Sequence, residues 1–288
     1  MKHGKSPYTS TFYMWNGVAA FFYSSHLTSF HSHNTMQLVL DTQKDFRFKV
    51  KGSNWKTYKS LIIKENVIHQ LDTNDSVQLM IYLDAETRIA QTIKLKYLAE
   101  NETYPLNLNI FHFVNSNDLQ RALLNTEPIL LENLINRILG SLSLEIGNVV
   151  ADERILITEQ AISTTHPEET TIKSLANKAC LSVSRLRSLF KEVTGVSLYH
   201  YVLWNKIRYA TNQIMAGHTV NDAAIDAGFT DSSHFHKMMV QMFGISPSKF
   251  LKDNKNDTFV MCDQSPLHFE TRVYNKGQRV IDRNNNSD

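Results

Sequence analysis

The chain has 288 residues and a mass of 33.1 kDa, 42% of it hydrophobic, which is enough for two domains with cores of their own. With 30 Lys and Arg against 28 Asp and Glu the net charge is only +2, so any electrostatic role must come from uneven distribution. Two cysteines exclude a disulfide framework and fit a reducing cytoplasm, and no apolar run nears the roughly 18 residues of a membrane span.

The first ten residues are polar, and Asn16-Gly17 interrupts the stretch from Phe12 to Tyr23, so no secretory signal is expected there. Residues 1 to about 110 read as β structure. Gln37–Leu40, Phe46–Val50, Tyr58–Ile63 and Val77–Leu83 are short strand-like runs, separated by turn residues such as Gly52-Ser53-Asn54 and Asp72-Thr73-Asn74-Asp75. Many short strands predict a barrel or sandwich. His31-Ser32-His33 and His69 would bind zinc or iron if they converge, because three imidazoles plus water make an open site. Otherwise they are remnants at a pocket mouth. Trp15, Phe21, Phe22, Trp55 and Tyr58 line a pocket or, more simply, fill a core.

Two helical stretches follow, Asp118–Asn125 and Glu127 to about Ser143. In the second, Thr126 caps and Pro128 sits in the first turn, and Leu130, Leu131, Leu134, Ile135, Ile138, Leu139 and Leu142 form an arc wider than one packed face needs. The boundary to the next domain falls near 145–150, and Asn148–Thr165 leads into it.

Residues 171–250 say nearly the same thing twice. Gly195-Val196-Ser197 returns as Gly244-Ile245-Ser246, and the same 49-residue offset aligns Leu186, Leu189, Phe190 and Val193 with Phe235, Met238, Met239 and Met242. Each set is the i, i+3, i+4, i+7 stripe of a short amphipathic helix. Before each lies a shorter helix and a tight turn. In the first copy Thr171 caps Leu175, Ala176 and Ala179, Cys180-Leu181 turns, and Ser182 caps again. In the second, Ala223, Ala224 and Ala227 precede Gly228-Phe229. Two such units predict a pair of helix-turn-helix motifs.

The outer faces carry Ser184, Arg185, Arg187, Ser188 and Lys191 in the first copy and Ser232, Ser233, His234, His236 and Lys237 in the second, with Lys206 and Arg208 between them. Arginine can give two parallel hydrogen bonds to guanine, serine serves base edges or phosphates, and lysine neutralises phosphate. Residues 171–250 hold nine Lys or Arg against four acids, whereas 151–170 hold one Arg against five, so the basic patch belongs to the repeat. The 38 residues after Phe250 contain only weakly strand-like runs and receive no assigned role.

On these residues the region resembles the double helix-turn-helix domain of AraC/XylS transcription regulators. The late signature of that family appears as Ala223-Ala224, Gly228-Phe229-Thr230-Asp231-Ser232-Ser233-His234-Phe235, then Phe243-Gly244-Ile245-Ser246-Pro247. Ala223, Met239 and Ser188 depart from the usual residues. The resemblance implies a fold of α+β class: a cupin-like β-barrel over 1–147 with a helical dimerisation segment, an all-α reader over 148–250, and a tail over 251–288. It implies double-stranded DNA as partner, RNA polymerase as the recipient of activation, and a homodimer through Leu131, Leu134, Ile138 and Leu142. The barrel is expected to be the point of control, through a small organic effector or a partner, if it binds anything at all. The three histidines fall where cupins hold a metal, but Gln37 replaces the usual glutamate, so no cofactor is expected. The reading is a cytoplasmic, non-enzymatic transcription regulator, and the alternative is a metal-dependent cupin enzyme fused to a DNA-binding module.

Overall fold

The computed structural model describes residues 11–15, 17–23, 27–74, 76–123, 128–142, 152–244, 246–247 and 258–261. Among the described residues eight strands come first: β1 (Thr11–Trp15), β2 (Val18–Tyr23), β3 (Thr35–Asp41), β4 (Phe46–Val50), β5 (Lys56–Tyr58), β6 (Ser60–Ile63), β7 (His69–Asp72) and β8 (Gln78–Asp84). Helix α1 (Arg88–Ile93) follows, running into a π-helical turn at Lys94–Leu98, and then come β9 (Thr103–Pro105), α2 (Ser116–Leu123) and α3 (Pro128–Leu142). One sheet has the order β10-β1-β2-β8-β3-β6-β9, where β10 is Thr258–Met261, and a second has the order β5-β4-β7. Among the described residues the expected barrel is this pair of open sheets. The predicted run Tyr58–Ile63 is divided at Lys59, where the chain leaves the small sheet for the large one.

The large sheet is buried on both faces, which explains why β3 and β8 lack a polar–apolar alternation. Trp15, Leu38, Leu40, Leu79, Ile81 and Leu83 point to one core with α1, α2 and α3. Met14, Phe21, Val39, Met80 and Tyr82 point the other way. They share a second core with Phe46, Phe48 and Leu71 of the small sheet and with Trp204, Phe235, Met239 and Phe243 of the reader.

Helix α3 forms as its apolar period predicts, but Leu131, Leu134, Ile138 and Leu142 are all buried in the first of these cores. Their proposed role as a dimer contact is therefore corrected: the sheet and α2 fill the arc from within the chain. The face of α3 that remains open carries Asn133 and Arg137.

Among the described residues of the second half are α4 (Glu153–Thr164), α5 (Ile172–Lys178), α6 (Val183–Thr194), α7 (Leu198–Met215), α8 (Val220–Asp226) and α9 (Ser232–Phe243). Local chemistry accounts for the ends. Thr171 and Ser174 form a capping box, Ser182, Ser197, Thr219 and Asp231 cap the following helices, and Gly195 and Gly244 end α6 and α9 in the left-handed conformation. The segment 251–288, to which no role was assigned, supplies β10, which pairs parallel with β1 from Thr11↔Thr258 to Met14↔Met261.

Candidate nucleic-acid interface

The two short turns are built alike. Leu181 N donates to Ala176 O at 2.9 Å across left-handed Cys180, and Phe229 N donates to Ala224 O at 2.9 Å across left-handed Gly228. The match offset here is 48 residues, so the second copy holds one extra residue, Thr230, before its recognition helix. Cys180 has φ +53°, a conformation that costs a side chain about 1–2 kcal/mol. Cys180→Gly is expected to stabilise the chain by about 0.5–1 kcal/mol once the added freedom of the unfolded glycine is subtracted, read as a higher thermal midpoint.

Helix α6 buries Leu186, Leu189 and Phe190 against α5, and α9 buries Phe235, Met239 and Met242. Their opposite faces are turned outward: Ser184, Arg185, Arg187, Ser188 and Lys191 are exposed on α6, as are Ser233, His236 and Lys237 on α9. Arg187, Ser188 and Lys191 line an open groove of about 750 Å³ with Ser197 and Tyr199. The Tyr199 side chain is 57% exposed beside these cations, and sequence reasoning missed it because its helix was read for its apolar stripe alone. Arg185 lies 4.0 Å from Glu192 and Lys191 lies 3.9 Å from Glu86, both too exposed to be held tightly.

Four predicted contacts sit differently. Lys206 donates from Nζ to Gly228 O at 2.9 Å, bracing α7 against the second turn, and burial draws its pKa down. Arg208 donates to Asn205 Oδ1 at 3.1 Å, and Asn205 in turn donates to Ile162 O. His234 is half-buried, with Nδ1 3.1 Å from Thr230 Oγ1 and its ring edge-on to Phe229. Ser232 is half-buried in the first turn of α9. Lys206 and Arg208 therefore also make contacts inside the reader, which their assignment as phosphate contacts did not include.

The reader is fastened to the first domain at one end of the large sheet. Period two places Thr35 and Asp84, a directly paired cross-strand couple, on the face turned to the reader. Asp84 Oδ2 accepts from Trp204 Nε1 at 2.7 Å and faces His200 Nδ1 at 3.2 Å, while Thr35 Oγ1 donates to Met242 O at 2.7 Å. Glu86 Oε2 accepts from Ser197 N at 2.8 Å, and Arg88 donates to Glu192 O.

The three histidines of the first domain do converge. His31 and His69 form a β-bridge, and one ring nitrogen from each of His31, His33 and His69 lies within 4.8 Å of the others. Each Nδ1 is bonded to a backbone carbonyl: His31 to Ser29 O, His33 to Thr35 O and His69 to Val67 O, at 2.8–2.9 Å. With Nδ1 so engaged, Nε2 is the nitrogen through which each ring would meet a metal, as in metal-binding imidazoles generally, and in His33 it stands 3.0 Å from Gln37 Oε1. Burial, with the neighbouring histidines, lowers the pKa of His33 to about 4 and that of His69 to about 3, so both rings are neutral. The residues present fit a metal ion; no cofactor was expected from the sequence because the glutamate is missing.

Residues 175–253 match the family model of a helix-turn-helix domain. This is an AraC/XylS-type reader. RhaR of Pectobacterium atrosepticum, an HTH-type transcriptional activator, is 39% identical over 70 residues, which are 24% of this chain and 25% of that protein. The Msm operon regulatory protein of Streptococcus mutans is 32% identical over 89 residues, 30% of this chain and 31% of its own. The chain thus spans between a quarter and a third of the length of these curated relatives. Among solved structures, ToxT from Vibrio cholerae O395 aligns over 84% of this chain and 100% of its own, with a TM-score of 0.47 and 11% identity. No helix among the described residues is long and apolar enough to cross a membrane.

Proposed function

We propose that the protein is a cytoplasmic, sequence-specific regulator of transcription that reads double-stranded DNA with α6 and α9 of its AraC/XylS-type domain and carries out no catalysis. The observation that carries this reading is the duplication itself: two helices with matching caps and C-terminal glycines, each burying one stripe and presenting serines and cations on the other. Helix α7, 18 residues or about 27 Å long, joins them, a spacing suited to neighbouring major-groove segments about one DNA turn apart. The first domain takes the effector and transmits its state to the reader. RNA polymerase as the recipient of activation and a homodimer, through a surface other than the buried face of α3, complete the proposal.

The test uses the full chain and a duplex that the chain itself selects from random sequence. Arg185, Lys191 and Lys237 as phosphate contacts predict that log affinity falls against log salt with a slope of about −3. Arg187→Ala is expected to cost about 1–3 kcal/mol and to relax base preference within one of two protected segments. Binding that ignores salt would overturn the proposal, and an equal loss on every sequence would make Arg187 a phosphate contact.

A further inference from the structure

The histidine cluster does not stand apart from the reader, because the segment that carries it caps the second recognition helix. The last carbonyls of a helix have no partner inside the helix. In α9 two of them are taken up from the first domain: Asn34 N donates to Gln241 O at 2.6 Å, and Thr35 Oγ1 donates to Met242 O at 2.7 Å. Asn34 and Thr35 directly follow His33. On the other side, Gly244 at the end of α9 lies so close to His31 that a Cβ there would come within 2.6 Å of its Cδ2. The rings of His31 and His33 are thus in register with the last turn of α9.

We infer, on the DNA-binding reading above, that the effector is a divalent transition-metal ion held by His31, His33 and His69, acting on α9 through residues 31–35. Three imidazoles with their Nδ1 atoms tied to carbonyls suit zinc, copper, iron or nickel and are poor ligands for magnesium or calcium. Two of the rings are almost completely buried, with exposures of 2% for His33 and 1% for His69. Gln37 adds a fourth donor. Its Oε1 stands 3.0 Å from His33 Nε2, while its amide nitrogen serves Tyr82 Oη at 3.1 Å. With the His33 proton on Nδ1, these two facing atoms are both acceptors, which a cation between them would satisfy. Turning the amide over satisfies them without an ion, so Gln37 has a distinct arrangement for each state. An organic effector has less room on this face of the sheet, where Met14, Phe21, Val39 and Tyr82 are already packed with Trp204, Met239 and Phe243.

The experiment takes the full chain, stripped with a chelator, and adds Zn²⁺ in a calorimeter or Co²⁺ in a visible spectrometer. One ion per chain is expected, with cobalt absorption bands characteristic of nitrogen ligands. His33→Ala and His69→Ala should each weaken binding by more than the 10–100-fold that losing an outer partner costs, whereas His236→Ala, on the exposed face of α9, should leave it unchanged. The cobalt spectrum of the unsubstituted chain keeps the test decisive should a histidine variant fail to fold. Zn²⁺ should then change affinity for the selected duplex by at least about 5-fold, the lower end of ordinary coupling between sites, and Thr35→Val should reduce that change while retaining the ion. No binding at micromolar Zn²⁺ overturns the site. Binding of the ion with DNA affinity unaltered overturns its role as effector and leaves the reader intact. Ion binding by a chain with no affinity for any duplex overturns the regulator reading and the effector role together, while the calorimetry still establishes the site.

Discussion

Asp84→Ala is expected to destabilise the folded chain by about 3–5 kcal/mol, because the carboxylate it removes is buried and answers two groups of the other domain. Trp204 is completely buried, and its Nε1 would lose its acceptor with no water to replace it. His200 would lose its counter-charge. Asp84→Asn keeps an oxygen for Trp204 and removes only the charge, so it should cost less than half as much, and urea unfolding of the two variants separates the contributions. A pH dependence comes with this contact. The hydrogen bond and charge of Asp84, with Glu86 beside it, hold the His200 pKa above its ordinary 6.5 despite burial and Lys191. A folded value above the unfolded one means that the stabilisation is complete below about pH 6.5 and is lost as pH rises through the raised value. Asp84→Asn should flatten that part of the stability profile.

Phe243→Ala is expected to cost about 3–5 kcal/mol, the range for removing a buried aromatic ring. Phe243 is 1% exposed and stands edge-on to Trp204 at 5.4 Å and to Tyr82 at 6.0 Å, so it joins α7, α9 and β8. Because its loss opens the seam between domains, the variant should melt in two steps where the parent melts in one, as scanning calorimetry would show. Both substitutions remove a neighbour of Trp204, so their effects should fail to add by 0.5 kcal/mol or more in a double-mutant cycle. Strict additivity would mean that the two contacts are independent.

The reader was legible because its determinants are local. Thr171, Ser182, Gly195, Gly228 and Gly244 each act within one turn of chain, and the burial stripes of α6 and α9 repeat at a fixed offset. What is set across long separations was not legible. The stretch Phe12–Tyr23, placed in the β region but not resolved into strands, folds as the hairpin of β1 and β2 around Gly17, and since both faces of the sheet are covered it shows no alternation. Helix α1 is six residues long, too short to announce itself by period. The width of the α3 arc was read correctly as needing extra cover, but sequence does not say whether that cover is a second copy or the chain's own sheet. Lys206 looked like a free cation because nothing local reveals that Gly228 O, 22 residues further on, would claim it, whereas the partner of Arg208, Asn205, lies only three residues back on the same helix. The histidines were recognised as a set, whereas their junction with Gln241, Met242 and Gly244 depends on contacts about 200 residues apart in the chain.

The pairing of β10 with β1 sets an order on synthesis. A ribosome delivers β1 first and its outer neighbour some 240 residues later, after both helix-turn-helix units have emerged. Until then that border of the sheet offers unpaired amides and carbonyls to any other nascent chain, the kind of edge through which proteins aggregate. A gene cut back to the end of its recognisable DNA-reading motif, near Phe250, would encode every residue of the signature and leave that border permanently open. The segment without a signature covers β1 and takes its place as the outermost strand.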